Sequence, residues 1–194
     1  HQSKGHIFLG WTVALQGDPG AGLRLLRSGL ARQKDNGTVE DFPIYFSLLA
    51  DALQLAGRPG EALEELEAVL AVCRAAGLRI WIPEVLRRIG ELRILAGAGQ
   101  PLAEAALREG LDMAIEQGAR ALAVRGAISL ARLRAGLGDR DGALDLLAPY
   151  ADGPLEWMRK ADVGTAQQLA ATLRAGDDLA DALAPGILAS GIAG

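Results

Sequence analysis

Apolar residues recur along this chain at helical spacing and in blocks of similar length. Between Glu61 and Cys73, Leu63, Leu66, Leu70 and Cys73 form one stripe, while Glu61, Glu64, Glu65 and Glu67 fall away from it. Steps of three and four place residues on one face of an α-helix. A shorter pattern repeats at i, i+4, i+7: Gly22, Leu26 and Gly29; Ala62, Leu66 and Val69; Ala103, Leu107 and Gly110; Ala143, Leu147 and Tyr150. Successive copies start 40, 41 and 40 residues apart. The small first residue predicts close approach of two helices, and the leucine predicts a side chain filling the space between pairs. Alternating strand patterns are nearly absent. Only Leu78-Arg79-Ile80-Trp81-Ile82 is compatible with a strand, and it stands where a helix should begin before Pro83.

The breaks between blocks are as regular as the blocks. Glycines fall at Gly17, Gly37, Gly57, Gly77, Gly97, Gly118 and Gly138, a step of 20 or 21 residues each time. Glycine just past a helix end is the commonest left-handed terminator. Each step then holds a helix of about 16 residues, about 24 Å long, and a short turn. Alternate turns differ. One kind reads Gly17-Asp18-Pro19-Gly20, Gly57-Arg58-Pro59-Gly60, Gly99-Gln100-Pro101-Leu102 and Gly138-Asp139-Arg140-Asp141. Three of these four carry a proline where the first helical turn needs no N–H. The other kind is longer and more polar, as in Gln33-Lys34-Asp35-Asn36-Gly37. The repeating unit is therefore two helices, with a period of about 40 residues.

These patterns predict an all-α fold, a stack of antiparallel helix pairs of the α-solenoid kind. One domain covers residues 1–175, with pairs at about 4–36, 38–76, 80–117 and 119–152 and a capping helix at 154–174. Residues 176–194 form a tail, read as a last helix or a disordered extension. Asp41 is the expected N-cap of the helix that carries Pro43 in its first turn. The start at His1 instead of Met reads as a piece of a longer polypeptide.

Composition narrows the function classes. Half the residues are hydrophobic and only 4% aromatic, which favours helices packed through small side chains over a β-sandwich. The net charge of −4 supplies no basic field, so neither nucleic-acid nor membrane-surface binding is expected. No stretch approaches the roughly 18 apolar residues of a membrane span. The apolar run from Ile7 to Leu15 lacks the basic flank of a signal peptide. Cys73 is the single cysteine, which rules out an intrachain disulfide and fits the cytoplasm.

No residue set reads as catalytic, cofactor-binding or metal-binding. Gly17-Asp18-Pro19-Gly20-Ala21-Gly22 has the glycine frame of a phosphate-binding loop. It continues with Leu23 and Arg24 where Lys and Ser/Thr are needed, so it reads as an interhelical turn. His1 and His6, the two histidines, have no Ser, Cys or carboxylate at a useful spacing. Cys73 lies on an apolar stripe and reads as a small buried hydrophobe. Glu64-Glu65 and Asp177-Asp178 are neighbours about 100° apart on a helix, not a dyad. Trp11, Trp81 and Trp157 read as packing at pair interfaces or as contact area for a partner.

At the inner turns, Gly-Arg-Pro-Gly-Glu-Ala at 57–62, followed by Leu66, resembles the tetratricopeptide signature. The period of about 40 departs from that family's 34 and implies longer helices or turns. The segments from Ala103 to Ala114, Gly126 to Leu133 and Gly142 to Tyr150 are similar to the helical C-terminal regions of large bacterial regulators. Those regulators join a class III adenylate cyclase or a DNA-binding domain to an AAA-type ATPase, so ATP binding belongs to other parts of such proteins. The resemblance covers roughly residues 5–173. It implies a right-handed superhelix whose concave face is built by the first helix of each pair. Aligning Gly10, Ala50, Gly90 and Ala131 then turns Trp11, Ser47, Asp51, Arg87, Glu91, Arg125 and Arg132 toward that face. It further implies a non-enzymatic module that binds a protein, a peptide segment or other domains of its own chain. The alternative it offers is a sensor that holds a small molecule on the concave face.

Overall fold

The computed structural model describes residues 2–35, 41–151 and 160–176. Among the described residues the protein is all helical, with no strand. The order is α1 (Gln2–Leu15), α2 (Pro19–Asp35), α3 (Phe42–Leu55), α4 (Pro59–Ala76), α5 (Ile82–Leu95), α6 (Gln100–Glu116), α7 (Arg120–Gly136), α8 (Arg140–Ala151) and α9 (Lys160–Ala175). A 3₁₀ turn, Arg79–Trp81, leads into α5. Thus the one strand-like segment is a turn and helix start. Pro83 sits in the first turn of α5, where its missing N–H costs nothing. The expected helix at 154–174 is described from Lys160 onward; its start, Gly37 and the tail from 177 lie outside the described residues.

Glycine ends the helices as the spacing predicts. Gly17, Gly57, Gly77, Gly97, Gly118 and Gly138 all have positive φ, between 65° and 103°. At each, the next residue's N–H reaches back across the turn, as in Arg58 to the Leu53 carbonyl (2.9 Å) and Ala98 to the Arg93 carbonyl (2.9 Å). This satisfies carbonyls that the helix end leaves without a partner. Asp41 departs from expectation. It precedes α3 in a helical conformation and makes no side-chain cap. Its carboxylate instead accepts hydrogen bonds from Lys4 Nζ (2.7 Å) and Tyr45 Oη (3.1 Å). The cation on α1 outcompetes the neutral amides of the first turn of α3.

The small-residue positions bring helix backbones together. A Cβ added at Gly22 would stand 2.5 Å from the Gly10 carbonyl oxygen, and one at Gly29 would meet Ile7 and Ser3 at 2.6 and 2.8 Å. Contacts therefore run in opposite order along α1 and α2. The leucine of each repeated pattern, Leu26, Leu66, Leu107 and Leu147, is fully buried. One core cluster runs from α1 through α6, and two others are built on α6–α7 and α7–α9, with Leu146 and Tyr150 packed against both.

Each helix packs on the next, and in addition α1 touches α3, α3 touches α5, α5 touches α7 and α7 touches α9. No approach of similar extent joins α2 to α4, α4 to α6 or α6 to α8 among the described residues. The odd-numbered helices are drawn together, and ion pairs at the surface between long side chains, Arg27 with Glu61 and Arg74 with Glu109, link even-numbered ones. No described helix is long and apolar enough to cross a membrane.

Candidate functional site

The closely spaced odd-numbered helices carry a chain of polar side chains. On α1, the Trp11 indole N–H donates to Asp51 Oδ2 on α3 (3.3 Å). Asp51 accepts a short ion-pair bond from Arg88 on α5. Arg88 Nη1 also donates to Glu91 Oε2, one turn further along α5 (3.3 Å). Glu91 Oε1 accepts from Arg87 Nη1 (2.6 Å) and from Ser129 Oγ on α7 (2.7 Å). Arg87 turns the rest of its guanidinium onto Glu84 through two bonds of 2.7 and 2.9 Å. Arg125 on α7 reaches Asp162 on α9 at 3.3 and 3.4 Å. Partners on different helices are 37 to 42 residues apart, one helix pair each time.

This seam is internal. Asp51, Arg88, Glu91 and Ser129 are 2 to 6% exposed. Arg87, Arg88 and Arg125 face Asp51, Glu84, Glu91 and Asp162, and Arg132 lies beside Glu91. Burial of charge is tolerable only with such pairing. Burial pushes the Asp51 carboxyl up, against the pull of Arg88 and the Trp11 hydrogen bond. Burial would raise Glu84 too, but the guanidiniums of Arg87, Arg125 and Arg88, Arg87 foremost, together hold it below the usual carboxylate range. Glu84 and Glu91 in turn keep Arg87 protonated despite its burial. Arg132 is pushed down by burial, with Glu91 opposing.

Of the seven residues the sequence turns toward one face, Trp11, Asp51, Arg87 and Glu91 join this seam, and Arg125 extends it to α9. Arg132 lines a pocket beside it. Ser47 stands apart: it is buried and donates to the Pro43 carbonyl of its own helix (2.8 Å). Arg88, Glu84, Ser129 and Asp162 take part without having been singled out. A signal for two of them lay in the sequence, since Glu84, Arg87, Arg88 and Glu91 place opposite charges three and four residues apart on a helix. Ser129 and Asp162 are defined only by what faces them.

The pocket holds about 250 Å³ and opens between the ends of α5 and α7 and the start of α6. Glu91, Ser129, Arg132 and Gln100 give it polar walls, and Ile94, Leu133 and Leu137 give it an apolar one. Elsewhere, Cys73 is buried and its thiol is pushed up by burial. Trp81 is half-buried. Trp157 lies outside the described residues. No group of three or more His, Cys, Asp or Glu side chains is arranged to hold a metal among the described residues.

No protein-family model matches the chain. It is similar to an uncharacterised protein of Rhizobium meliloti (strain 1021), with 32% identity over 127 residues. The matched region is 66% of this chain and 12% of that protein. The chain thus spans about an eighth of the length of the curated relative it matches.

Proposed function

We propose that this chain is a non-enzymatic interaction and regulatory module: a right-handed superhelical stack of antiparallel, tetratricopeptide-like helix pairs within a larger bacterial signalling protein. The resemblance to cyclase- and ATPase-linked regulators suggests the class of parent. The similarity to a short stretch of a much longer bacterial protein fits a module of this kind. The observation that carries the reading is the seam. Odd-numbered helices held close by Asp51, Arg88, Glu91 and Ser129, with even-numbered helices further apart, curve a stack so that the odd helices line its inner face. The seam's charges are spent on one another, which suits a rigid surface better than an acid–base centre.

The test is isothermal titration of this chain against the remaining domains of its parent polypeptide, each purified separately. Saturable binding is expected. Trp11→Ala and Arg132→Ala together should weaken it at least tenfold while leaving the helical circular dichroism intact. Absence of binding to every other domain, or binding indifferent to both substitutions, would overturn the reading. One observation favours a second reading, a small-molecule sensor: the pocket at the ends of α5 and α7 combines an apolar wall with a few convergent polar groups.

A further inference from the structure

We infer that the outer face of α1, centred on Gly5, Leu9 and Val13, is an open stacking junction that takes one further helix pair of the same repeat kind, supplied by the parent polypeptide ahead of this chain. The inference rests on the module reading and deepens it by assigning the occupant of one end of the stack.

The register that aligns Gly10, Ala50, Gly90 and Ala131 defines which side of an odd-numbered helix meets the pair before it. At Gly126 on α7, an added Cβ would stand 3.4 Å from Leu111 of α6. Two turns further along α7, Arg134 pairs with Glu104 of α6, and its counterpart on α5, Arg93, pairs with Glu67 of α4. Positions i, i+4 and i+8 thus form a stripe against the preceding even-numbered helix. The middle position of that stripe is Leu49 on α3, Ile89 on α5 and Leu130 on α7, exposed by 2, 0 and 0%. On α1 the same stripe is Gly5, Leu9 and Val13. Leu9 is 52% exposed, and an added Cβ at Gly5 would meet nothing within 4 Å. The first odd-numbered helix therefore carries the surface that its three counterparts bury, and a preceding pair would remove it from water as theirs do.

Two differences within the register set the chemistry of the occupant. Where Arg93 and Arg134 answer glutamates on the preceding even-numbered helix, α1 has Val13. Where Arg88 reaches back to Asp51 on α3, and Ser129 to Glu91 on α5, α1 has Phe8, which is 38% exposed. A carboxylate brought against Phe8 or Val13 would lose water and gain no partner. The occupant therefore presents apolar side chains at both places, and Gly5 leaves room for a leucine to approach as Leu111 approaches Gly126. A second copy of the chain is poorly matched to this role. Leu30 and Leu70, the counterparts of Leu111, are already buried in the chain's own core. The similarity to a short stretch of a much longer protein fits a parent with room for another pair.

The test compares this chain with a form extended at its amino end by the preceding stretch of the parent polypeptide, about 40 residues or one repeat. Amide exchange and sedimentation are measured on both. Extension is expected to slow exchange across residues 5–13 by about tenfold or more. Leu9→Asp should abolish that slowing in the extended form and leave the melting temperature of the unextended chain unchanged, since the side chain is already half in water there. Val13→Arg should also weaken the slowing, because the occupant offers no carboxylate. No slowing on extension, or equal damage from Leu9→Asp in both forms, would overturn the inference. Slowing that survives Val13→Arg would overturn the apolar match. Dimerisation that depends on Leu9 in both forms alike would place a second copy on the face and overturn it as well. Any of these failures leaves the module reading standing where domain binding through Trp11 and Arg132 persists.

Discussion

At the scale of single residues, the same amino acid does opposite things at different places. Gly10 faces backbone: an added Cβ would stand 2.7 Å from both the Gly22 carbonyl and the Leu26 nitrogen. Backbone cannot rotate away, so Gly10→Ala should cost about 1–3 kcal/mol in urea unfolding. Gly164 lies in mid-α9 with nothing within 4 Å of such a Cβ. Gly164→Ala should stabilise by about 0.5–1 kcal/mol in the same assay, because it lowers the entropy of the unfolded chain. Glu84 carries a pH dependence of known sign. Its folded pKa lies below the ordinary value of 4.5, because Arg87, with Arg125 and Arg88 behind it, opposes burial. The stability it lends is therefore complete above about pH 4.5 and is lost as pH falls through the folded value. Glu84→Gln should flatten that acid limb when unfolding midpoints are compared between pH 3 and 6; an unchanged slope would show that Glu84 is not held down by Arg87.

At the scale of helices, burial decides which ion pairs matter. Arg74 with Glu109 joins α4 to α6 with both side chains about half exposed. Arg74→Ala should change stability by less than about 1 kcal/mol. Glu91 is 6% exposed and receives Arg87, Arg88 and Ser129. Glu91→Ala leaves two buried guanidiniums short of a counter-charge and should cost about 3–5 kcal/mol. Equal effects of the two substitutions in denaturant titrations would mean that the seam does not hold α5 and α7 together. The close pairing of α1 with α2 follows from Gly22 and Gly29, which remove the side chains that would keep the backbones apart. The apolar stripe gives the helix; the small residue gives its distance from the next.

At the scale of the whole molecule, neighbours hold neighbours, so damage should stay local. α9 is tied to α7 through Asp162 and Arg125 and to the last core cluster through Ala166, Leu169, Ala170 and Leu173. Asp162→Ala should speed amide exchange in α9 and leave α1–α4 unchanged; a uniform rise along the chain would instead indicate one cooperative body. Much of this architecture was legible in the sequence, because helix length, helix end and helix face are each set by nearby residues. The glycine beat and the i, i+4, i+7 pattern placed α2, α4, α6 and α8 within a few residues and marked Leu26, Leu66, Leu107 and Leu147 for burial. The segment 78–82 is compatible with a strand by composition, yet its place before Pro83 marks a helix start, and it forms the 3₁₀ turn and the first residue of α5. For the candidate site, the alignment of small residues gathered Trp11, Asp51, Arg87 and Glu91 but said nothing of how they pair. Whether Asp51 meets solvent or Arg88 depends on α3 and α5 lying side by side, a relation between residues 37 apart that no local pattern encodes. The sequence by itself determined the rods, their stops and their apolar stripes, because those depend on backbone sterics and local periodicity. Only the tertiary structure decided that the polar face would be consumed in pairing and that a pocket would remain beside Arg132, because charge pairing and cavities exist only between elements already packed.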